Sequence, residues 1–348
     1  MPVSDDQKLA MWREVLQLCR VKPGQNIAVL TGETSLAGNI DMAMRASTAL
    51  GARVCRIDVP PGDAGGAFGH RADVGITPLT GHRLVVDMLK QADMVLDLMG
   101  LLHSPEQLEI LAAGVRMLLV VEPPDMLARM IPSPDDKRRV QAAQKRLKAA
   151  KTMTVTSKAG TDLKMPIGQF PTLAQWGYSD EPGHWDHWPS GFVATWPNEG
   201  ASSGRLVIDA GDILLPFKFY VQSKIELDIR DGTITRIDGG FDGKYLRKHL
   251  ESYNDPAAFG IAHVGWGLHP KANWGALGLR DKVQSYGMDA RSFAGNFLFS
   301  TGPNAEAGGS NHSPCHVDIP MADCSVSLDG EPMTVDGVLV APEQRLSA

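Results

Sequence analysis

Residues Gly295–Pro320 read GNFLFSTGPNAEAGGSNHSPCHVDIP, and the rest of the chain can be organised around them. An apolar run ends at Ser300, and a glycine-rich loop then leads to His316-Val317-Asp318. Side chains at positions i and i+2 of an extended strand point to one face, so an imidazole and a carboxylate are aimed at one point. They supply two of the three ligands of a 2-His-1-carboxylate site, which is typical of non-haem Fe(II) oxygenases.

The third ligand is expected to be a histidine on a neighbouring strand. Of the ten histidines, only His263 lies in an apolar run punctuated by glycines, Phe259–Gly267, which predicts a strand. A polar ring in such a run needs a partner, and the glycines would let another backbone come close. A core histidine bonded to a carbonyl is the ordinary alternative, and an isolated His-x-Asp is common. Together the two patterns favour a metal site at His263, His316 and Asp318.

The chain has 348 residues, more than a single core usually holds, so two domains are predicted. A net charge of −6 argues against nucleic acid and anionic membranes as partners. Its four cysteines lack CxxC spacing, and we find neither a signal peptide nor an apolar run near the ~20 residues that a membrane span needs. These features predict a cytoplasmic enzyme.

Strands that alternate with helices predict a Rossmann-like parallel α/β domain over residues 1–151. The short apolar runs that predict its strands begin at Asn26, Arg53, Met94 and Met117. Parallel sheets bind ligands at the carboxyl ends of their strands, where a long glycine-rich loop is predicted over residues 60–81. A dinucleotide site is not expected, because no GxGxxG motif is present.

The segment Gly100–Pro105 follows a predicted strand and precedes a predicted helix. A histidine before a helix is usually an ordinary loop residue. At the rim of a ligand crevice, however, His103 would be an acid–base group, and we predict that role for it. Leu102, its neighbour, is predicted to contact the substrate.

From residue 152 to 348 the pattern changes, and we predict a β-rich α+β domain that carries the metal site. Apolar runs flank Asp231-Gly232, which is the strongest hairpin signal in the chain. Two further Asp-Gly pairs, at Asp329-Gly330 and Asp336-Gly337, predict turns near the end of the sequence.

Residues Gly183–Pro189 read GHWDHWP and are predicted to form a loop. Tryptophan and histidine can stack on a planar aromatic ligand or close a pocket against water, so His187 is predicted to line the substrate entrance. Packing of a loop or of a subunit interface is the plain alternative. Four large aromatics in one irregular region suggest a homo-oligomer; they are Trp176, Trp185, Trp188 and Trp196.

Three segments carry a resemblance to a known family: VGWGLHP at Val264–Pro270, the surroundings of His316-Val317-Asp318, and the GHWDHW loop. They resemble the 2,5-dihydroxypyridine 5,6-dioxygenases, iron enzymes of bacterial nicotinate and nicotine breakdown, over the whole chain. The resemblance implies Fe(II) as cofactor, 2,5-dihydroxypyridine and O₂ as substrates, and N-formylmaleamate as product. Ser300 is predicted to contact the iron or the substrate, with capping of the following turn as the alternative.

A more distant likeness is to thermophilic two-metal aminopeptidases, which share the late His…His-x-Asp order. Those enzymes also use two glutamates, one in an Asn-x-Pro-x-Gly-Glu type segment, whereas the comparable segment here, Trp196–Gly200, reads WPNEG. The bridging carboxylates that two-metal hydrolysis needs are therefore not evident. A 2-oxoglutarate oxygenase is disfavoured, because no histidine follows His316. An aminopeptidase and a non-catalytic α/β binding protein with a degenerate site remain as alternatives.

Overall fold

A computed structural model gives the fold and describes residues 3–60, 75, 77–215, 217–279, 281–282 and 284–346. Most of the loop predicted over residues 60–81 lies outside the described residues. By contacts the chain divides into two compact units. The first unit comprises Met1–Pro134, Gln175–Ser190 and Val283–Tyr286, and the second comprises Asp135–Ala174, Gly191–Lys282 and Gly287–Ala348. The division into domains at residues 151 and 152 stays a prediction.

The helices are α1 (Asp5–Leu18), α2 (Ala37–Ala49), α3 (Arg83–Leu89), α4 (Pro105–Ala112), α5 (Pro124–Arg129), α6 (Pro134–Ala149), α7 (Phe241–Glu251) and α8 (Met288–Ser292). The first ten strands are β1 (Asn26–Thr31), β2 (Arg53–Asp58), β3 (Met94–Asp97), β4 (Arg116–Leu119), β5 (Thr152–Ser157), β6 (Asp162–Pro166), β7 (Thr172–Gln175), β8 (Trp185–His187), β9 (Phe192–Thr195) and β10 (Ser203–Ile208). The others are β11 (Ile213–Leu214), β12 (Phe219–Tyr220), β13 (Ile225–Arg230), β14 (Thr233–Gly239), β15 (Ile261–Gly267), β16 (Phe297–Thr301), β17 (Val317–Met321), β18 (Cys324–Leu328), β19 (Glu331–Val335) and β20 (Val338–Leu339).

The first unit is built on a five-stranded parallel sheet with the strand order β2-β1-β3-β4-β8. Apolar side chains of β1, β3 and β4 pack in one core with residues of α3 and α4. A capping box, in which Ser4 and Gln7 bond each other's backbone, begins α1. The predicted parallel α/β architecture is confirmed. The loop predicted at GHWDHW was wrong, because Trp185–His187 forms the edge strand beside β4.

The second unit contains an eight-stranded antiparallel sheet in the order β14-β13-β10-β6-β5-β18-β19-β20. The hairpin predicted at Asp231-Gly232 joins β13 to β14, and both turn residues have positive φ, as a tight hairpin turn requires. A smaller antiparallel sheet has the order β17-β16-β15-β9-β7. The β-rich character predicted for this part of the chain is confirmed. No described helix is both long and apolar enough to cross a membrane.

Candidate metal centre

Three neighbouring strands of the smaller sheet, β15, β16 and β17, build the candidate site, together with His316, the residue just before β17. The middle strand, β16, pairs antiparallel with both others, and its Ser300 stands opposite Asp318 of β17. The register of β15 against β16 shifts between Ile261 and Val264, so His263 lies in a bulge. Bulges redirect side chains and are common next to functional sites.

His263, His316 and Asp318 converge, with one potential ligand atom from each within 4.8 Å of the others. Nε2 of His263 and Nε2 of His316 lie 3.2 and 3.3 Å from the same Asp318 oxygen, Oδ1. Adjacent donors that each lie about 2.1 Å from a six-coordinate ion are roughly 3 Å apart, so this spacing fits one small divalent cation. Among the described residues, no other three such side chains converge in this way. We refer to these residues as the His-His-Asp cluster.

The Asp318 carboxylate offers a direct test of whether a cation fits. Its Oδ1 atom is buried and has no hydrogen-bond partner among the described residues. The two imidazole nitrogens at 3.2 and 3.3 Å only partly replace the hydration that this oxygen loses on burial, and the remaining loss costs free energy. A divalent cation held between the two imidazoles and this oxygen would replace that hydration, so the residues present fit a metal ion.

Neighbouring groups fix the orientation of two members of the cluster. Nε of Arg291 donates a hydrogen bond to the other Asp318 oxygen, Oδ2, at 2.7 Å. Nδ1 of His316 lies 3.0 Å from the carbonyl oxygen of Thr301, which can only accept. That bond keeps the proton on Nδ1 and leaves Nε2 with a lone pair for a metal, the usual arrangement of a metal-binding histidine.

Charges in the cluster favour an ionised carboxylate. Burial acts to raise the pKa of Asp318, but the charges of Arg291, His316 and His263 outweigh burial and hold that pKa well below its usual range. Burial also acts to lower the pKa of His316, and the charge of Asp318 outweighs it, so that pKa is raised. Asp318 is therefore an anionic donor at neutral pH.

Ser300 is fully buried beside the cluster, and its hydroxyl donates a hydrogen bond to the backbone carbonyl of His263 at 2.6 Å. This bond joins the middle strand to the bulge on β15. This hydrogen bond does not cap the turn that follows Ser300, which was the alternative. A contact of Ser300 with iron or substrate stays a prediction.

The other residues predicted for the site belong to the first unit. Leu102 and His103 are half-buried in the loop that follows β3. His187 is the last residue of β8, is buried, and packs its ring edge-to-face against Tyr286 at 5.9 Å. Because the cluster belongs to the second unit, the roles of these three residues stay predictions.

A buried carboxylate shapes the loop that carries His103. Asp97, the last residue of β3, accepts hydrogen bonds from the backbone N–H groups of Met99, Gly100 and Leu101 at 3.0, 2.8 and 2.6 Å. Burial raises the pKa of Asp97, and these three bonds oppose the rise. The bonds fix the backbone immediately before His103.

Sequence reasoning missed Arg291 and the local role of Trp196. Arg291 lies on the five-residue helix α8, which carries no motif. Trp196 is 4% exposed, packs edge-to-face against His263 at 6.1 Å, and donates its indole N–H to Glu306. Trp176 and Trp188 are also buried within the chain, whereas Trp185 is partly exposed, and the predicted homo-oligomer stays a prediction.

The glutamate of the WPNEG segment lies outside the His-His-Asp cluster. One oxygen of Glu199 accepts hydrogen bonds from the Asn304 amide and from the N–H and hydroxyl of Ser310, at 2.9, 2.6 and 2.8 Å. These bonds hold the pKa of Glu199 below its usual value and give the carboxylate a structural task. Within the described part of the chain, the cluster is therefore a site for one ion.

Comparisons with known proteins agree with the resemblance inferred from the sequence. The family model described as NicX, 2,5-dihydroxypyridine 5,6-dioxygenase, matches residues 7–341. A 2,5-dihydroxypyridine 5,6-dioxygenase of Pseudomonas putida KT2440 is 50% identical over 346 residues, which is 99% of each chain. The solved structure of 2,5-dihydroxypyridine dioxygenase from the same organism has a TM-score of 0.96 at 50% identity and covers 99% of this chain and 100% of its own.

A solved structure of wild-type AmpT from Thermus thermophilus has a TM-score of 0.61 and covers 97% of this chain and 100% of its own. At 14% identity that likeness shows the fold alone. The family match spans nearly the whole sequence, and a relative with half of its residues identical is matched from end to end. The chain belongs to the 2,5-dihydroxypyridine 5,6-dioxygenase family.

Proposed function

We propose that this protein is an Fe(II)-dependent dioxygenase that cleaves the ring of 2,5-dihydroxypyridine with O₂ to give N-formylmaleamate. The observation that carries the proposal is the convergence of His263, His316 and Asp318 in a member of this family. Two imidazoles and one carboxylate are the ligand set typical of non-haem Fe(II) oxygenases. Both oxygen atoms of O₂ enter the product, so the reaction needs no further reductant.

The three residues of the cluster would hold the iron through His263 Nε2, His316 Nε2 and Asp318 Oδ1. When bound, Fe(II) supplies a Lewis acid for the ring hydroxyl and the redox chemistry that makes O₂ reactive. The protein keeps the donors ready for this task, because Arg291 holds Asp318 ionised and Thr301 fixes the proton of His316.

The charge near the cluster favours an anionic substrate oxygen. A single carboxylate on a divalent ion leaves net positive charge, and the Arg291 guanidinium adds to it. The buried Trp196 packs against His263 and gives this side of the site an apolar wall. In such a poorly solvated setting, electrostatic attraction for a deprotonated hydroxyl is stronger than in water.

We infer that His103 accepts the hydroxyl proton. An imidazole is a suitable base near neutral pH, and the two cluster histidines cannot serve while they bind a metal. His103 has a φ of +49°, which is uncommon for a residue with a side chain and points to a constraint of function. In the same proposal Leu102 contacts the ring and His187 lines the substrate entrance.

The proposed function is tested by loading the protein with Fe(II) under anaerobic conditions and measuring O₂ uptake with 2,5-dihydroxypyridine. We expect one O₂ consumed per ring cleaved, and no uptake after chelation or replacement of iron by Zn²⁺. Peptide hydrolysis by the same metal-loaded sample, without O₂ uptake, would favour an aminopeptidase. Retention of the pyridine without turnover would favour a binding protein.

We also propose a cytoplasmic location and a homo-oligomeric state. All four cysteines are free thiols, as is usual in a reducing compartment. Sedimentation at micromolar protein concentration tests the assembly. A single species at the monomer mass of 37.5 kDa would contradict a homo-oligomer.

A further inference from the structure

His103 is held by its backbone as well as by its place in the loop. Its N–H donates a 2.7 Å hydrogen bond to the side-chain oxygen Oε1 of Gln107, in the first turn of α4. Ser104 begins that helix, and its hydroxyl accepts a bond from the Gln107 backbone N–H at 3.1 Å. The acceptor of the His103 N–H is therefore Gln107, whose own backbone is held at the start of α4.

The hydrogen bond from the His103 N–H holds a residue whose backbone conformation is uncommon. A left-handed backbone costs roughly 1–2 kcal/mol for a residue with a side chain, so it needs interactions that hold it. The Asp97 carboxylate fixes the loop before His103, and Gln107 fixes it at His103 itself. Trp185 packs edge-to-face against the imidazole with ring centroids 5.3 Å apart, which restricts the ring.

Gln107 is an unexpected residue for the buried face of a helix. It is 1% exposed, and its amide nitrogen Nε2 has no hydrogen-bond partner among the described residues. An apolar side chain of similar volume would remove this unpaired donor, but it would leave the His103 N–H without its acceptor. The amide supplies the acceptor for the His103 N–H, as a glutamine at the third helical position often does for a backbone N–H just before a helix, and here that N–H belongs to the proposed base.

We propose that Gln107 is a positioning residue for His103, holding its backbone in the left-handed conformation that presents the imidazole to the substrate. The inference rests on the proposed role of His103 as the base. A misplacement of about 1 Å in a reacting group can lower a rate by roughly 100-fold. Loss of the Gln107 acceptor is therefore expected to lower kcat by about 10- to 100-fold, with KM changed less than about twofold.

The test compares three variants of the iron-loaded enzyme. Gln107→Met keeps the volume and removes the acceptor, whereas Gln107→Glu keeps an acceptor oxygen at the same place. Ile110→Met is the matched control, because Ile110 is fully buried on the same helix and belongs to the apolar core. We expect Gln107→Met to be slow with a displaced pH–rate profile, Gln107→Glu to recover most of kcat, and Ile110→Met to match the wild type.

Amide hydrogen exchange at His103, resolved by NMR, gives a readout that does not depend on turnover. The wild-type amide should be protected, and Gln107→Met should exchange at least tenfold faster. Fast exchange in the wild type would overturn the inference even if Gln107→Met did not fold. If His103→Ala is slow and Gln107→Met has a normal kcat, the role of Gln107 is overturned, while the role of His103 as the base stands. Normal turnover of His103→Ala would overturn the proposed base and this inference with it.

Discussion

Ser300 and Asp318 face each other in register across β16 and β17, and the Ser300 hydroxyl donates a hydrogen bond to the carbonyl of His263 on β15. One buried hydroxyl on the middle strand, which itself pairs with the strand that carries Asp318, therefore ties that middle strand to the bulge that carries His263. Ser300 has a structural task that does not depend on substrate.

Ser300→Ala should loosen the bulge at His263. The buried carbonyl loses its hydroxyl donor, which costs about 1–2 kcal/mol of unfolding free energy. We expect weaker metal binding as well, measured by titration of the metal-free protein. Ser292→Ala is the matched control, because Ser292 is equally buried and its hydroxyl has no partner among the described residues. If the two variants have the same unfolding free energy and the same metal affinity, Ser300 does not hold the bulge at His263.

The His-His-Asp cluster should act as one unit. His263→Ala, His316→Ala or Asp318→Asn should each remove most of the bound iron and nearly all activity, because two remaining donors rarely hold Fe(II). Metal analysis after anaerobic loading and dialysis measures this. His312 is exposed in the loop before β17, so His312→Ala should keep its iron. Full iron content and normal turnover in His316→Ala would refute the assignment.

Arg291→Gln should weaken metal binding about 10- to 100-fold, as is usual when a group that orients a ligand is lost. The guanidinium helps to hold the pKa of Asp318 down, so its removal raises that pKa. Protons then compete with the metal at a higher pH, and on acidification the variant should lose its metal before the wild type does. Metal titrations at several pH values measure the shift. Arg205→Gln removes a half-exposed arginine of the same unit and should leave metal binding unchanged.

The features that could be predicted from the sequence are those that a few neighbouring residues determine. β1 begins and ends where its apolar run does, and α1 begins at a capping box that four residues encode. His316, the residue just before β17, and Asp318 within β17 converge as their two-residue spacing predicts. These features need no knowledge of distant parts of the chain.

The elements that the sequence did not predict depend on distant partners. Trp185–His187 is too short and too polar to indicate a strand, and it becomes one because the edge of β4 offers it hydrogen bonds. Arg291 contacts Asp318 from 27 residues away, on a short helix without a periodic pattern. The left-handed conformation of His103 has no signal in the sequence either, since only a small minority of histidines adopt it.

His269 should make stability depend on pH. Burial lowers its pKa from 6.5 to about 4, more than the nearby Asp136 and Asp289 raise it. As the pH falls from about 6.5 towards about 4, the unfolded chain takes up this proton and the folded chain does not, so the unfolding free energy falls by up to roughly 3 kcal/mol. Urea unfolding at a series of pH values measures the fall.

His269→Asn separates this effect from the titration of other groups. The asparagine oxygen can still accept the bond that Nδ1 of His269 takes from the Lys271 N–H at 3.1 Å. We expect a flatter stability profile between about pH 4 and 6.5 in this variant than in the wild type. His312→Asn changes an exposed histidine and should keep the wild-type profile. Parallel profiles for all three proteins would show that His269 does not contribute.

His103→Ala should keep its iron and lose roughly 10²–10⁴-fold in kcat, the usual contribution of a general acid–base group. The reason is chemical: an aromatic ring with a hydroxyl group reacts poorly with O₂ until it has lost that proton. The limb of the pH–rate profile that reflects an imidazole should disappear with the side chain. Iron content and O₂ uptake are measured on the same sample across pH, so loss of metal is separated from loss of the base.

Two further histidine variants make the result specific to His103. His82 precedes α3, is exposed and belongs to the same unit, so His82→Ala should have normal kcat and a normal pH profile. His187→Ala should raise KM more than it lowers kcat if His187 lines the substrate entrance. Added imidazole should partly restore His103→Ala, because the deleted ring leaves space and the missing group is a proton acceptor. Near-normal rates and an unchanged pH profile in His103→Ala would exclude this residue as the base and favour His187.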